Sequence, residues 1–103
     1  MSYKTHPSVE KDDLIYILTL LTFLRDSGNN GIQSTYYGAI EQASKLYGGD
    51  HDKYKRAMEH LIVDGYVENK TYRTFPSIEV KMLVVNWDLV NSDFSGFFNI
   101  TED

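Results

Sequence analysis

The chain contains no cysteine and little positive charge, and both shortages exclude classes of function. Without cysteine, its 103 residues form neither a disulfide framework nor a thiolate metal site, and they offer no thiol nucleophile. The main hydrophobic run, Leu14–Leu24, is too short for a membrane-spanning helix, which needs about twenty residues. We therefore expect one domain in a soluble, cytoplasmic protein that has no signal peptide and no membrane segment.

The net charge of −5 argues against a general binder of polyanions, because affinity for phosphate comes from lysine and arginine. The charges are unevenly distributed along the chain. Residues 45–81 carry seven basic and six acidic side chains, whereas the remainder carries three basic and nine acidic ones. Any surface that binds nucleic acid is therefore expected in the middle of the chain.

Three helices are predicted from apolar periodicity and capping residues. The first runs from about Val9 to Asp26 behind a Ser8 cap, and the second runs from a cap at Ser34 or Thr35 to about Tyr47. The third covers about Asp50–Asp64, with Gly65 as a natural helix stop. The residues expected to face the core are Leu14, Ile17, Leu18, Leu21 and Leu24 in the first helix, Tyr36, Ala39, Ile40, Ala43 and Leu46 in the second, and Tyr54, Ala57, Met58, Leu61 and Ile62 in the third.

A hairpin is predicted after the third helix. Its strands are a short one at Tyr66–Glu68 and a longer one at Ile78–Asn86, joined by a loop at Asn69–Ser77. The alternation in the longer strand predicts that Ile78, Val80, Met82 and Val84 form its buried face. Asn86 is a candidate cap for a short helix that begins at Trp87.

The order of these elements resembles the winged helix-turn-helix superfamily. The resemblance rests on "GIQSTYYGAIEQASKLYGGDHDKYKRAMEHLIVDGYVE" (residues 31–68) and the hairpin after it, and "MEHLIVDGYVE" is its most specific part. It implies an α+β fold in which a three-helix domain at residues 8–86 carries a C-terminal β-hairpin wing. Residues 1–7 are then a flexible N-terminus, and residues 87–103 are a short aromatic tail that packs on the domain or on a partner protomer.

The resemblance also implies a small, sequence-specific transcriptional regulator that binds double-stranded DNA as a homodimer. The third helix would enter the major groove, and the wing would contact the backbone. Lysine and arginine suit both contacts, because they neutralise phosphate and donate to guanine. The residues implied as DNA contacts are His51, Lys53, Lys55 and Arg56 in the helix and Lys70, Tyr72 and Arg73 in the wing.

Two alternatives remain open at this stage. The aromatic side chains of the first helix and of the tail either form a dimer or partner interface or pack against each other within one chain. These residues are Tyr16, Phe23, Phe94, Phe97 and Phe98. The same fold can also serve as a protein–protein module without nucleic acid, which the acidic balance and the aromatic tail favour.

The sequence offers no pattern typical of catalysis or of a bound cofactor. It has no glycine-rich phosphate loop and no histidine pair at metal-binding spacing. The "DHD" stretch, Asp50–Asp52, is better explained as a helix cap with exposed neighbours, since adjacent residues on one turn rarely converge on one ion. We therefore expect no enzyme activity, no metal and no cofactor.

Overall fold

A computed structural model describes residues 11–74 and 77–94 of the chain. Three helices precede a two-stranded antiparallel hairpin and a fourth helix. The elements are α1 (Lys11–Asn29), α2 (Tyr36–Tyr47), α3 (His51–Val63), β1 (Val67–Thr74), β2 (Ile78–Val85) and α4 (Trp87–Asp93). This α+β layout is compatible with a winged-helix domain and confirms the predicted fold class. The expected Ser8 cap, the predicted flexible N-terminus, Phe97 and Phe98 lie outside the described residues.

The core lies where α1, α2 and α3 meet the base of the hairpin. Its buried apolar residues are Ile17, Leu20, Leu21, Leu24, Ala39, Ile40, Ala43, Tyr54, Ala57, Met58, Leu61, Tyr66, Val67, Leu83, Val90 and Phe94. Leu46 was expected among them but is 66% exposed, because the buried stripe of α2 ends at Ala43, one turn earlier. None of the helices in the described ranges has the length and apolar content that crossing a membrane requires.

Two glycines end α1 and α3 in the same way. Gly31 and Gly65 have φ angles of 75° and 86°, in the left-handed region that favours glycine. After α3, the Tyr66 amide donates to the Leu61 carbonyl at 2.9 Å and the Gly65 amide donates to the Ile62 carbonyl at 3.1 Å, which is a Schellman motif. The equivalent motif carries α1 on to Asn29, past the predicted end at Asp26. The motif after α3 turns the chain directly into β1.

The hairpin is longer than the sequence pattern predicted. Residues 69–74, which were expected in a loop, belong to β1 and pair with β2 in a register that matches Val67 with Val85 and Arg73 with Glu79. The prediction of a nine-residue loop was therefore wrong. The reason is that β1 is mostly polar and shows no apolar alternation, so its pairing depends on backbone hydrogen bonds to β2.

The predicted buried face of β2 was also wrong. Leu83 is buried, Val85 packs against the core, and Ile78 is 57% exposed. The helices cover only the base of the hairpin, on the side where Leu83 and Val85 lie. The Leu83 amide also donates to the Ser34 carbonyl at 2.8 Å, which ties this strand to the segment before α2. Val80, Met82 and Val84 lie on the opposite, outward face of the strand, where they are half-buried.

The fourth helix is part of the domain. Its predicted cap is confirmed, since Asn86 Oδ1 accepts a hydrogen bond from the Leu89 amide at 3.2 Å. Phe94, directly after the helix, has no exposed surface, and its ring lies edge-on to Tyr66 at 5.1 Å. The Tyr66 hydroxyl donates to Asp93 Oδ2 at 2.6 Å. Two contacts therefore fasten the end of α4 to Tyr66, the residue just before β1.

We expect Phe94→Ala to lower the free energy of unfolding by about 3–5 kcal/mol, because it removes a fully buried aromatic ring. Ile78→Ala, at an exposed position, is the matched control and should change the free energy by less than about 0.5 kcal/mol. Urea denaturation followed by circular dichroism measures both values. Similar losses in the two variants would contradict the packing of α4 on the domain.

Candidate nucleic-acid interface

Arg56, implied as a DNA contact, is paired with a buried carboxylate of its own domain, although its side chain is 54% exposed. Its Nε and Nη2 atoms donate to Oδ1 of Asp13 on α1 at 3.1 and 2.8 Å. The Asp13 residue is only 2% exposed, and its Oδ2 atom lies 3.9 Å from Nε2 of His60. A buried carboxylate needs such partners, because removal from water is costly for a charge. Arg56 therefore joins α3 to α1, and a contact with DNA would compete with this ion pair.

The N-terminal part of α3 contacts Tyr16 of α1. The Tyr16 hydroxyl accepts a hydrogen bond from the Asp50 amide at 3.0 Å, and the Tyr16 ring lies edge-on to Tyr54 at 4.6 Å. Lys53 Nζ lies 5.9 Å from the centre of the same ring. His51 is exposed beside Asp50, whose side chain caps α3 by accepting from the Asp52 amide at 2.9 Å. Tyr16 thus serves the packing of its own domain.

The predicted wing residues lie on opposite faces of the hairpin, because side chains alternate along a strand. Arg73 shares one face with Glu79, its partner across the ladder, and Nη2 of Arg73 lies 3.0 Å from Oε2 of Glu79. Lys70 and Tyr72 lie on the other face, opposite Met82 and Val80. The Arg73 side chain is 80% exposed, so its ion pair is screened by water and easily exchanged for another anion.

Two other aromatic residues of the expected dimer or partner interface, Phe23 and Phe94, differ in how deeply they are buried. Phe23 is half-buried and packs against the core, while Phe94 lies wholly within it. Phe23 also lines a shallow groove of about 420 Å³ together with Ile32 and Gln42. Of these two residues, only Phe23 therefore offers surface to a partner in this conformation.

A groove of about 530 Å³ lies between α3, the start of α2 and the inner face of the hairpin. Its lining residues are Thr35, Tyr36, Tyr37, Lys55, Glu59, Asn69 and Lys81. Lys55 comes from α3 and Lys81 from β2, and neither makes an ion pair in the part of the chain that the structure describes. The groove therefore brings two available cations together from separate elements.

The acidic residue of this groove is held in place by a tyrosine. The Tyr36 hydroxyl donates to Oε2 of Glu59 at 2.7 Å. Burial of the ring, the hydrogen bond and the nearby Glu59 charge raise the pKa of Tyr36 above its ordinary value. The phenol therefore stays protonated at neutral pH and remains a donor to Glu59. This contact replaces the Lys55–Glu59 pair that spacing along α3 would allow.

Asn69 of β1 completes the floor of the groove. Its Oδ1 atom is buried and has no hydrogen-bond partner among the described residues. Buried amide oxygens are nearly always satisfied, so this atom is a candidate acceptor for water or for a ligand group.

Most of the groove could not be identified from the sequence. Of the residues implied as DNA contacts, only Lys55 lines it; Glu59, Lys81 and the tyrosines at the start of α2 were absent from the implied set. The one local signal was the spacing of Lys55 and Glu59, which places both on one side of a helix. Comparison of the chain with protein-family models, with curated proteins and with solved structures found no match.

We expect Arg56→Ala to lower the free energy of unfolding by about 1–3 kcal/mol, because it leaves the buried Asp13 carboxylate without its main donor. Arg73→Ala removes an arginine from an exposed pair and should cost less than about 1 kcal/mol. Urea denaturation at neutral pH measures both. Equal, small losses would show that the Asp13–Arg56 pair does not hold α3 on α1.

Proposed function

We propose that this protein is a small transcriptional regulator that binds double-stranded DNA through the groove between α3 and the hairpin and acts in the cytoplasm. The observation that carries the proposal is the convergence of Lys55 and Lys81 on one groove, both without an ion pair in the described residues. Unpaired lysines are the side chains that neutralise phosphates and release their counterions. Because the net charge is −5, phosphate is expected to bind only at the few surfaces where cations cluster.

The start of α2 adds groups that suit a phosphate. Thr35 caps the helix, and Tyr36 and Tyr37 are its first two residues, so their backbone amides lie at the positive end of the helix dipole. The first turn contains no acidic residue. Amides at a helix start, together with hydroxyl groups, are common donors to DNA phosphates.

The hairpin can extend the contact beyond the groove. Its strands have eight residues each, and Lys70 and Arg73 are exposed on its two faces. Arg73 would exchange Glu79 for a phosphate, at little cost because its pair is solvent-exposed. Lys70 and Arg73 would therefore contact the DNA backbone from the two faces of the hairpin.

The proposal includes a homodimer. Each protomer brings few available cations to DNA, and two protomers on adjacent half-sites would double the number of phosphate contacts. Half-exposed Phe23, in its groove with Ile32, is a described residue of the expected interface that has surface to contribute.

A protein–protein module is the second candidate, and the outward hairpin face favours it. Ile78, Val80, Met82 and Val84 share this face with Tyr72, and none of them belongs to the residues packed against the core. Apolar side chains that line one face in this way are typical of protein contacts. The engagement of Arg56 and Arg73 by carboxylates points in the same direction.

Titration of a fluorescent random-sequence duplex at several salt concentrations tests the DNA proposal. We expect log K to fall linearly with log salt concentration, and we expect Lys55→Ala and Lys81→Ala each to reduce the slope by about 0.9, the value for one phosphate contact. Lys45→Ala is the matched control, because Lys45 lies in the last turn of α2 near Glu41 and outside the groove.

Three results would contradict the proposal: no binding by the wild type, binding that does not change with salt, or an equal loss in the Lys45→Ala control. Absence of duplex binding would favour the protein–protein module instead, and an equal loss in the control would mean that the groove is not the DNA contact.

A further inference from the structure

Glu59 is an unusual residue for a groove that would contact DNA. Its carboxylate is exposed on α3 one turn after Lys55, in the same groove as both lysines. A carboxylate repels phosphate, so Glu59 weakens any contact that is purely electrostatic. Asp13 carries its own ion pair with Arg56, whereas Glu59 pairs with no cation in the described residues. In a groove that contacts DNA, the group that suits this carboxylate is therefore a hydrogen-bond donor and not a phosphate.

We propose that Glu59 is a specificity-determining residue that accepts a hydrogen bond from the exocyclic amino group of a cytosine in the major groove. The inference rests on the proposed DNA-binding function and names the base that the same groove would select. The target is thus a duplex with a C·G pair at the position that Glu59 reaches.

The chemistry of the carboxylate limits the choice of base. An ionised carboxylate only accepts hydrogen bonds, so it requires a donor. In the major groove, cytosine offers its N4 amino group and adenine its N6 amino group, while guanine and thymine present acceptors. Adenine also presents the N7 acceptor beside its amino group, and that lone pair repels a carboxylate. Cytosine has a C–H group in the corresponding place, and it is therefore the best partner.

The groove geometry leaves one carboxylate oxygen for this contact. Tyr36 donates to Oε2 at 2.7 Å, and no further hydrogen bond to Glu59 is formed within residues 11–74 and 77–94. The tyrosine therefore fixes the carboxylate before DNA arrives, which reduces the side-chain entropy lost on binding. Tyr36 is a positioning residue in this account, since it acts through Glu59.

Selection of binders from a randomised duplex pool tests the inference, with fluorescence titration of the selected site as the quantitative readout. We expect the wild type to select one constant cytosine and to lose affinity about tenfold when that base is replaced. Glu59→Gln should lose the preference for cytosine and shift it towards adenine, which a glutamine amide can bind with two hydrogen bonds. Glu41→Gln, an exposed substitution of the same kind outside the groove, should leave the selection unchanged.

Two further measurements separate recognition from a general structural effect. N4-methylcytosine at the selected position still pairs with guanine but places its methyl group where the major-groove hydrogen was, so the wild type should bind it about tenfold more weakly. The Glu59→Gln variant should bind duplexes with cytosine and with N4-methylcytosine at this position equally well. Tyr36→Phe should reduce discrimination between cytosine and the other bases while leaving the salt dependence of binding unchanged.

The outcomes distinguish this inference from the function on which it rests. Salt-dependent binding that needs Lys55 and Lys81, combined with a cytosine preference that survives Glu59→Gln, overturns the inference and leaves the proposed function intact. If the wild type binds duplex DNA but selects no constant cytosine, the inference is likewise overturned and the proposed function remains. Absence of duplex binding by the wild type overturns both.

Discussion

The domain depends on a carboxylate, that of Asp13, buried between α1 and α3. Removing this charge from water is costly, and the cost is offset because Arg56 binds it with two donors. Since Arg56 comes from α3, the pair acts with the buried face of that helix, which includes Met58 and Leu61, to fix its rotation about its own axis. Lys55 and Glu59 then lie on the side that faces the groove, while Arg56 faces α1. The ion pair and the buried apolar face of α3 together leave Lys55 and Glu59 as side chains that α3 offers to a partner.

The second constraint sets the position of the hairpin relative to α3. Gly65 turns the chain in a left-handed conformation, and Tyr66, the next residue, is fixed from the other side by Asp93 and Phe94. On the far strand, Leu83 is bonded to Ser34 just before α2. Both strands are therefore anchored at the base, and their upper parts extend freely from the helices. Asn69 lines the groove in the lower part of β1, whereas Arg73, further along the same strand, is exposed outside it.

Local features were predictable from the sequence and non-local ones were not. The caps of α3 and α4 and the glycine stop after α3 depend on residues within a few positions, and the structure confirms them. The role of Arg56 depends on Asp13, which is 43 positions away. The strand in residues 69–74 and the inward face of β2 depend on pairing and on where the helices end. The groove draws residues from α2, α3 and both strands, so no single segment could predict it.

We propose that the groove, formed by α3 as oriented on α1 and by the hairpin as anchored at its base, is the site of DNA contact rather than any other surface of the domain. Two-dimensional amide NMR spectra recorded during titration with duplex DNA test this claim most directly. The account predicts that the largest shifts occur at Tyr36, Lys55, Glu59 and Lys81, with residues 87–93 of α4 unchanged. Shifts confined to α4 or to the α1 surface, with the groove amides unmoved, would contradict it.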